Sequence, residues 1–580
     1  MIALKYIVAS AWPYSDFIPH LGTVLHLLSA DVYARYLRAL GNDVIFVTGS
    51  DEHGTPIELE ARKRKVKPKE LTDQVHEYML KLFKEFNFDF SLFSRTESDV
   101  HKEFVKEFLM KIYEKGYIFP MEEELPYCLN DKMFLPDRYV VGTCPYCGFD
   151  QAHGDQCDKC GRLLSPKDLI NPKCALCGST PVWMKTKNYF IDLSKIQERL
   201  LNWLINNNEL DDNVKNYSIS WVKHGLKPRS ITRDINWGIE SPFPDTQNKT
   251  IYVWFDALLG YLSATKEYLI RIGKGNDAWK EYWQDKETKS IYFIGKDNIP
   301  FHSIVLPALL IASEEDYILP WKINSTEYLM YEGQKFSKSR KIGVWLDEAL
   351  GIAPAEYWRW VLIRIRPEGG DSNFTWKEFV KIVNNELNDD IGNFIYRVFS
   401  LLKSRFNGII PEAEKLEDAD VETNKAVYSY INEYKQSLDE VRLKKATDSI
   451  LEIARLGNKY LNDRAPWDLY RKDIKVARGV MNVSVNIIKN ISLLLYPFMP
   501  STSNIVWKQL GYSTNVHEVK WNEILYKNVE PGMKLNKVEP IFKKLPEDFL
   551  ENISNIIKNA REEANSNRPN LLKEITLAKS

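Results

Sequence analysis

Apolar residues change their spacing along this chain in blocks, and each change marks an element. Tyr6-Ile7-Val8-Ala9 is a continuous apolar run, which predicts a buried strand. From Val24 to Leu40 apolar residues recur every three or four positions, which predicts a helix. Val44-Ile45-Phe46-Val47-Thr48 predicts a second strand, about Glu58 to Phe86 one long helix, and Ser91-Leu92-Phe93 a third strand. This alternation implies a parallel sheet covered on both faces, with ligands beyond the carboxyl ends of the strands. The rhythm stops near Gly116. Helical spacing returns from Ile191 to Leu204, and Ile231 to Pro244 reads as β-rich. Ile251 to Tyr261 then reads as a buried strand running into a helix, and Ser290 to Gly295 as another buried strand. From Asn385 to about Leu545 helical spacing dominates, with turns at Pro411, Pro466 and Pro500. That stretch predicts a separate helical bundle, and the polar stretch from Glu551 a surface helix.

Polar residues between these blocks carry the candidate chemistry. Pro19-His20-Leu21-Gly22-Thr23 lies between the first strand and the first helix. Free backbone N–H groups and the positive end of the peptide dipole make such a helix start a phosphate site. Gly22 permits close approach, and His20 can donate to phosphate. Far downstream, Lys335-Phe336-Ser337-Lys338-Ser339 sits in a polar loop with Arg340 and Lys341. Two lysines three apart suit a loop that closes over a triphosphate, where their charge counts most as phosphate charge develops. The basic run Arg62-Lys63-Arg64-Lys65 reads as a solvated helix face, with contact to nucleic-acid phosphates as the alternative.

Composition narrows the class. The chain has 580 residues, 44% hydrophobic and 27% charged, with a formal net charge of −1. It therefore reads as globular with a large core, and any nucleic acid must be held by local patches rather than by an overall field. The longest apolar region, Ile299 to Ala312, is too short to span a bilayer. With no leader evident, a cytoplasmic chain without membrane contact is expected.

All seven cysteines lie between Cys128 and Cys177. Cys144, Cys147, Cys157 and Cys160 form C-x2-C-x9-C-x2-C, two knuckles that can close tetrahedrally around a structural Zn2+. Cys174 and Cys177 form a third knuckle. Its partner is Cys128 with Asp131, a carboxylate where a second cysteine would stand. A second zinc site from Cys128, Asp131, Cys174 and Cys177 and an empty knuckle are both open readings.

The His20 and Lys335–Ser339 stretches resemble the HIGH and KMSKS signatures of class I aminoacyl-tRNA synthetases. Further stretches extend the resemblance over nearly the whole chain to the methionyl-tRNA synthetase family. They are Ala11-Trp12-Pro13-Tyr14, Ser50 to Pro56, Phe134 to Arg138, Trp254-Phe255-Asp256-Ala257, Gly295-Lys296-Asp297 and Phe301-His302. The resemblance implies an α/β fold: a split Rossmann-type catalytic domain with a zinc-knuckle insertion, followed by a helical anticodon-binding bundle. The implied boundaries are 1–115 and 245–324 for the catalytic halves and 116–244 for the insertion. A stem-contact region with the lysine loop takes 325–384, the anticodon-binding domain 385–550 and a tail helix 551–580.

The resemblance also assigns roles. Asp51 holds the methionine ammonium, and Trp12, Trp254, Ala257, Leu258, Tyr261 and His302 line the thioether pocket. Aromatic rings suit a polarizable sulfur, and a hydroxyl can donate weakly to it. His20, Gly22, Thr23, Lys335, Ser337 and Lys338 bind ATP with its Mg2+, with His20, Lys335 and Lys338 stabilising the transition state. Trp467 stacks an anticodon base, and Asn385 and Arg397 read anticodon edges on tRNA(Met). Thr23 departs from the family, which has a second histidine there. An oligonucleotide-binding domain, which many relatives carry at the C-terminus, is not expected within these 580 residues, so a monomer and a chain assisted by a separate tRNA-binding chain are both open readings. Rivals are another class I synthetase, a zinc-knuckle RNA binder without catalysis, and a small-molecule nucleotidyltransferase.

Overall fold

The computed structural model describes residues 3–573 apart from 155–156, 158, 161, 163 and 338–339. Its organising element is an all-parallel sheet. In chain order its parts are β1 (Lys5–Ser10), α1 (Leu21–Ala39), β2 (Asp43–Ser50), β3 (Leu92–Arg95), α2 (Val253–Arg271), β4 (Lys289–Gly295) and β5 (Lys322–Thr326). The strand order is β5-β4-β1-β2-β3. Val8 of the central strand stands opposite Ile291 on one side and Phe46 on the other. Successive side chains face opposite ways, so both faces need cover. Tyr6, Val8, Phe46 and Phe293 pack beneath α1, while Ile7, Ala9, Val47 and Ile294 pack with α2. The chain reverses its direction of winding between β1 and β4, where the loops diverge and leave a crevice.

A long insertion separates β3 from β4. Ile118–Cys128 pairs antiparallel with Val182–Ile191 from Ile118 opposite Ile191 to Tyr127 opposite Val182. At the far end of this ribbon a small core holds Cys128, Cys144, Cys157 and Cys174 with Leu135, Tyr139 and Val140. Leu59 of the helix Thr55–Arg64 packs against it from the catalytic side.

Three local expectations change. The single helix read over Glu58 to Phe86 is two, Thr55–Arg64 and Pro68–Glu85. Lys65 takes a left-handed conformation (φ 57°) and Pro68 opens the second helix, because proline cannot continue the first. The strand read at Ile251 shrinks to Thr250–Ile251, since the helix begins at Val253. Apolar runs alone do not separate a buried strand from a buried helix, and here the helix takes the run. Ile191 ends a strand, and its helix starts only at Gln197.

The bundle contains Asp418–Asp439, Leu443–Arg464 and Ile474–Leu495. It joins the catalytic unit through one continuous apolar core and one buried cation. Arg359, fully buried, donates to Asp31 of α1 at 2.6 Å and to the carbonyls of Phe498 and Pro497 at 2.7 and 3.1 Å. The helix Ile553–Asn567 is more than a surface helix, because it returns to the catalytic unit. Arg561 donates to the Gly343 carbonyl at 2.8 Å, and Arg568 to Asp347 at 2.7 Å.

Candidate active site

The crevice holds a cavity of about 350 Å³. Trp12, Asp51, Trp254, Ala257, Leu258, Tyr261 and His302 all line it, and so do His20 and Thr23. Two residue groups far apart in the chain therefore face one space.

His20 caps α1 in an extended conformation (φ −85°, ψ 167°). Its Nδ1 accepts from the Thr23 backbone N–H at 3.2 Å. In the neutral ring the proton then sits on Nε2, the atom left to donate to a ligand. Burial pushes His20 down to about 4, so it is neutral near pH 7. The lysine loop lies directly over it. Phe336 stacks on the His20 ring at 4.6 Å and 11°, and Trp345 pairs with His20 in an antiparallel bridge. A Cβ on Gly22 would meet the His20 ring at 3.0 Å and Phe336 at 3.5 Å, so glycine makes room for that stack. Ser337 and Ile342 exchange two backbone hydrogen bonds at 2.9 Å, which closes the loop as a hairpin. Lys335 Nζ lies 4.4 Å from the Tyr328 ring centroid. Lys338 and Ser339 lie outside the described residues.

Asp51 follows β2 and is 3% exposed. Its backbone exchanges bonds with Ser15 N–H (2.8 Å) and Pro13 C=O (2.9 Å), which fixes the turn carrying Trp12 and Tyr14. Its Oδ1 is buried with no partner among the described residues. Burial, then the neighbouring Asp256, pushes the Asp51 carboxyl well above its usual range. A buried carboxylate without a cation is costly, so this site favours an ammonium ligand.

The pocket wall is aromatic. Trp12 meets Tyr261 edge-on at 6.4 Å, and Trp254 stacks on Phe301 at 3.7 Å. The Trp12 ring requires Gly260 beneath it, where a Cβ would come within 2.7 Å. His302 sits in a π-helical turn, Phe301–Val305, of the kind often found at functional sites. Its Nδ1 lies 2.9 Å from the Asn298 carbonyl and its Nε2 2.7 Å from Tyr261 Oη. Nδ1 must donate to the carbonyl, so Nε2 accepts and the Tyr261 hydroxyl donates to it. That proton is not available to a ligand sulfur, which corrects the donor role read from the sequence.

The sequence reading gives no role to three residues here: His26 and Arg233 go unnamed, and Lys296 stands only within a stretch that carries the resemblance. His26, one turn beyond Thr23, lines the cavity with a buried Nε2 that has no partner among the described residues. Its spacing from His20 and Thr23 on one helix face was the available signal. Arg233 lies 3.7 Å over the Tyr252 ring and lines a wider cleft of about 1,320 Å³ beside the cavity. Lys296, after β4, pairs with Glu327 at 2.7 Å and Asp371 at 2.9 Å on the same cleft. That cleft runs out to Arg138, Lys167 and Trp183 of the insertion.

Both cysteine sets converge. In each, the four donor atoms lie within 4.8 Å of one another. Cys144 and Cys160 Sγ are 3.9 Å apart, Cys147 and Cys157 3.6 Å. Ligands about 2.3 Å from a tetrahedral zinc stand roughly this far apart. Asp131 Oδ2 lies 3.0 Å from Cys128 Sγ and 3.1 Å from Cys174 Sγ, so the carboxylate does occupy the fourth corner. The basic run is largely engaged: Arg62 pairs with Glu58 at 3.2 Å, and Arg64 pairs with Glu60 at 2.8 Å and bonds the Leu571 carbonyl.

In the bundle, Arg397 donates to Asn462 at 2.6 Å and Trp467 is 38% exposed. Asn385 lies exposed in a long π-helix, Ile382–Gly392.

Residues 6–399 match a family model described as tRNA synthetases class I (M), so the fold and cleft are those of a class I tRNA synthetase. Residues 410–562 match the anticodon binding domain of methionyl tRNA ligase. The chain belongs to the methionyl-tRNA synthetase family. It is 57% identical over 574 residues to a methionine–tRNA ligase of Aeropyrum pernix, spanning 98% of this chain and all of that one. It is 53% identical to that of Ignicoccus hospitalis, over 97% of this chain and all of the relative. The fold matches a Mycobacterium tuberculosis methionyl-tRNA synthetase solved with methionyl-adenylate bound, with TM-score 0.77, 23% identity, 93% of this chain and 100% of that one.

Proposed function

We infer that this chain attaches methionine to tRNA through methionyl-adenylate. A methionine carboxylate oxygen attacks the α-phosphorus of ATP, and the bond to pyrophosphate breaks. The terminal 2′-hydroxyl of tRNA then attacks the acyl carbon, and AMP leaves. No protein nucleophile is needed, so positioning and charge stabilisation carry the rate.

One observation carries the reading. A buried carboxylate with an aromatic pocket and a histidine-capped helix start line a single cavity beneath the lysine loop. Asp51 takes the ammonium, and Trp12, Trp254, Ala257, Leu258, Tyr261 and His302 enclose the thioether chain. His20 Nε2–H, Gly22, Thr23 and Ser337 face the phosphates. Lys335 and Lys338 supply the positive charge. Mg2+ arriving with ATP offsets phosphate charge. The tRNA end enters by the wide cleft, and Trp467, Arg397 and Asn385 meet the anticodon.

The cysteine sets hold two structural zinc ions. Four protein donors in each leave no open position for catalysis. Among the described residues no helix is long and apolar enough to cross a membrane. The seven cysteines, none of them in a disulfide, suit a reducing cytoplasm, where aminoacyl-tRNA is used. Bundle and insertion supply tRNA contacts within this chain; a separate tRNA-binding chain would add affinity.

Amino-acid-dependent pyrophosphate exchange is the test. Exchange with methionine and ATP in the absence of tRNA supports the reading. Exchange driven by another amino acid, or none, overturns it.

A further inference from the structure

Behind Asp51 a group of ionisable side chains is sealed from water. His53 is fully buried, and both ring nitrogens meet carboxylates. Nδ1 lies 2.8 Å from Asp256 Oδ2 and Nε2 2.8 Å from Glu97 Oε1. A neutral imidazole has one N–H and cannot donate to both, whereas ionised carboxylates only accept. The geometry therefore requires an imidazolium. Against the burial that opposes charge, Asp256 and Glu97 push His53 up to about 10.

The surrounding groups do not replace it. His101 Nε2 stands 3.9 Å from Asp256 Oδ1, while its Nδ1 shares a bond with Ser263 at 2.7 Å. Burial pushes His101 down, so it adds no stable charge. Lys102 reaches the outer oxygen of Glu97 at 3.2 Å. Glu52 turns away to Arg95 and Ser50, and Glu267 to Ser94, Ser98 and Arg271. Trp237 closes the remaining side edge-on to His53 at 5.6 Å. Asp256 is thus a buried negative charge behind Asp51, whose Oδ1 has no partner among the described residues, and His53 is its principal counter-ion.

We propose that His53 is a positioning residue for the amino-acid substrate. As a buried imidazolium it offsets Asp256, which lowers the cost of ionising the buried Asp51 when the substrate ammonium arrives. Without it, two buried carboxylates repel across the pocket floor and Asp51 holds its proton. This rests on the reading of Asp51 as the ammonium site.

The test is pyrophosphate exchange by the full chain across the acidic and neutral range, reading kcat/KM for methionine. His53→Asn is expected to move the acidic limb of the profile up by about one pH unit and to raise the methionine KM about tenfold near neutrality. The KM for ATP should hold within about twofold, because the phosphate end is untouched. The double variant His53→Asn/Asp256→Asn removes both charges and should recover the wild-type limb. Asp256→Asn alone keeps His53 and should move the limb down, which keeps the proposal testable should His53→Asn fail to fold. An unmoved limb in His53→Asn or in Asp256→Asn, or a double variant no better than His53→Asn, overturns the proposal and leaves a scaffold role. Absence of methionine-dependent exchange in the wild type overturns the functional reading instead.

Discussion

At the scale of single residues, the pocket works by committing protons. Tyr261 donates to His302, and His302 donates to the Asn298 carbonyl, so the wall toward the ligand is held in one tautomer. Tyr261→Phe leaves the buried His302 Nε2 without its donor. A lost partner of this kind costs about 1–3 kcal/mol, so the methionine KM is expected to rise about tenfold or more with ATP binding unaffected, read by steady-state exchange. The histidines also set a pH window. Burial drives His20, His26, His76 and His302 down to about 4 each. Unfolded, these rings protonate near 6.5, so stability is expected to fall as pH drops from 6.5 toward 4. His53 has the opposite sign: its folded value near 10 contributes fully below 6.5 and is lost between 6.5 and 10. Melting curves against pH should peak near neutrality. A melting temperature that rises as pH falls from 6.5 to 5 would contradict the sign of the four depressed rings, and one that rises from pH 7 to 9 would contradict that of His53.

At the scale of elements, the lysine loop is held by its phenylalanine. Phe336 stacks on His20 and leaves Lys335 on the outer, solvated side. Phe336→Ala should slow methionyl-adenylate formation about tenfold, since an aromatic pair is worth about 0.5–1.5 kcal/mol beyond its burial. Methionine affinity measured without ATP should not move. Four of the five parallel strands were legible as short apolar runs with a polar turn after them; Lys322–Thr326, whose one apolar residue is Ile323, was not. The break at Lys65–Lys67 was less so, because helical spacing continues across Pro68 and the left-handed Lys65 leaves no apolar signature. The helix Val253–Arg271 was misjudged at its start for a related reason. Its first turn, Val253-Trp254-Phe255, is β-branched and aromatic, and burial rather than propensity decides its conformation.

At the scale of the whole molecule, the chain is tied together by a few buried ion pairs and two cysteine clusters. Arg359 joins the bundle to α1, and Arg561 and Arg568 bring the last helix back beside the lysine loop. Trp467 of the bundle nevertheless remains open to solvent. Trp467→Ala should reduce kcat/KM for tRNA charging about tenfold or more and spare pyrophosphate exchange, as expected for a stacking platform worth about 1–3 kcal/mol per base. Equal loss of both activities would mark Trp467 as part of the fold. Elemental analysis of the purified chain should find two zinc ions per molecule, and Asp131→Ala should leave one. A wild-type content of one would remove the carboxylate from the ligand set.

The linear order of residues was enough for the alternation of strands and helices, the two-knuckle cysteine spacing and the pairing of a helix-start histidine with a distant lysine loop. Each is a local pattern, set by side-chain periodicity or ligand spacing over a few residues. Tertiary structure alone decided that Phe336 covers His20, that the Tyr261 proton belongs to His302, that Asp131 completes its cluster and that His53 lies between Asp256 and Glu97. These depend on contacts across tens to hundreds of residues. Their energies come from burial and from which hydrogen-bond donors burial leaves in reach, and neither quantity is written in any short stretch of the chain.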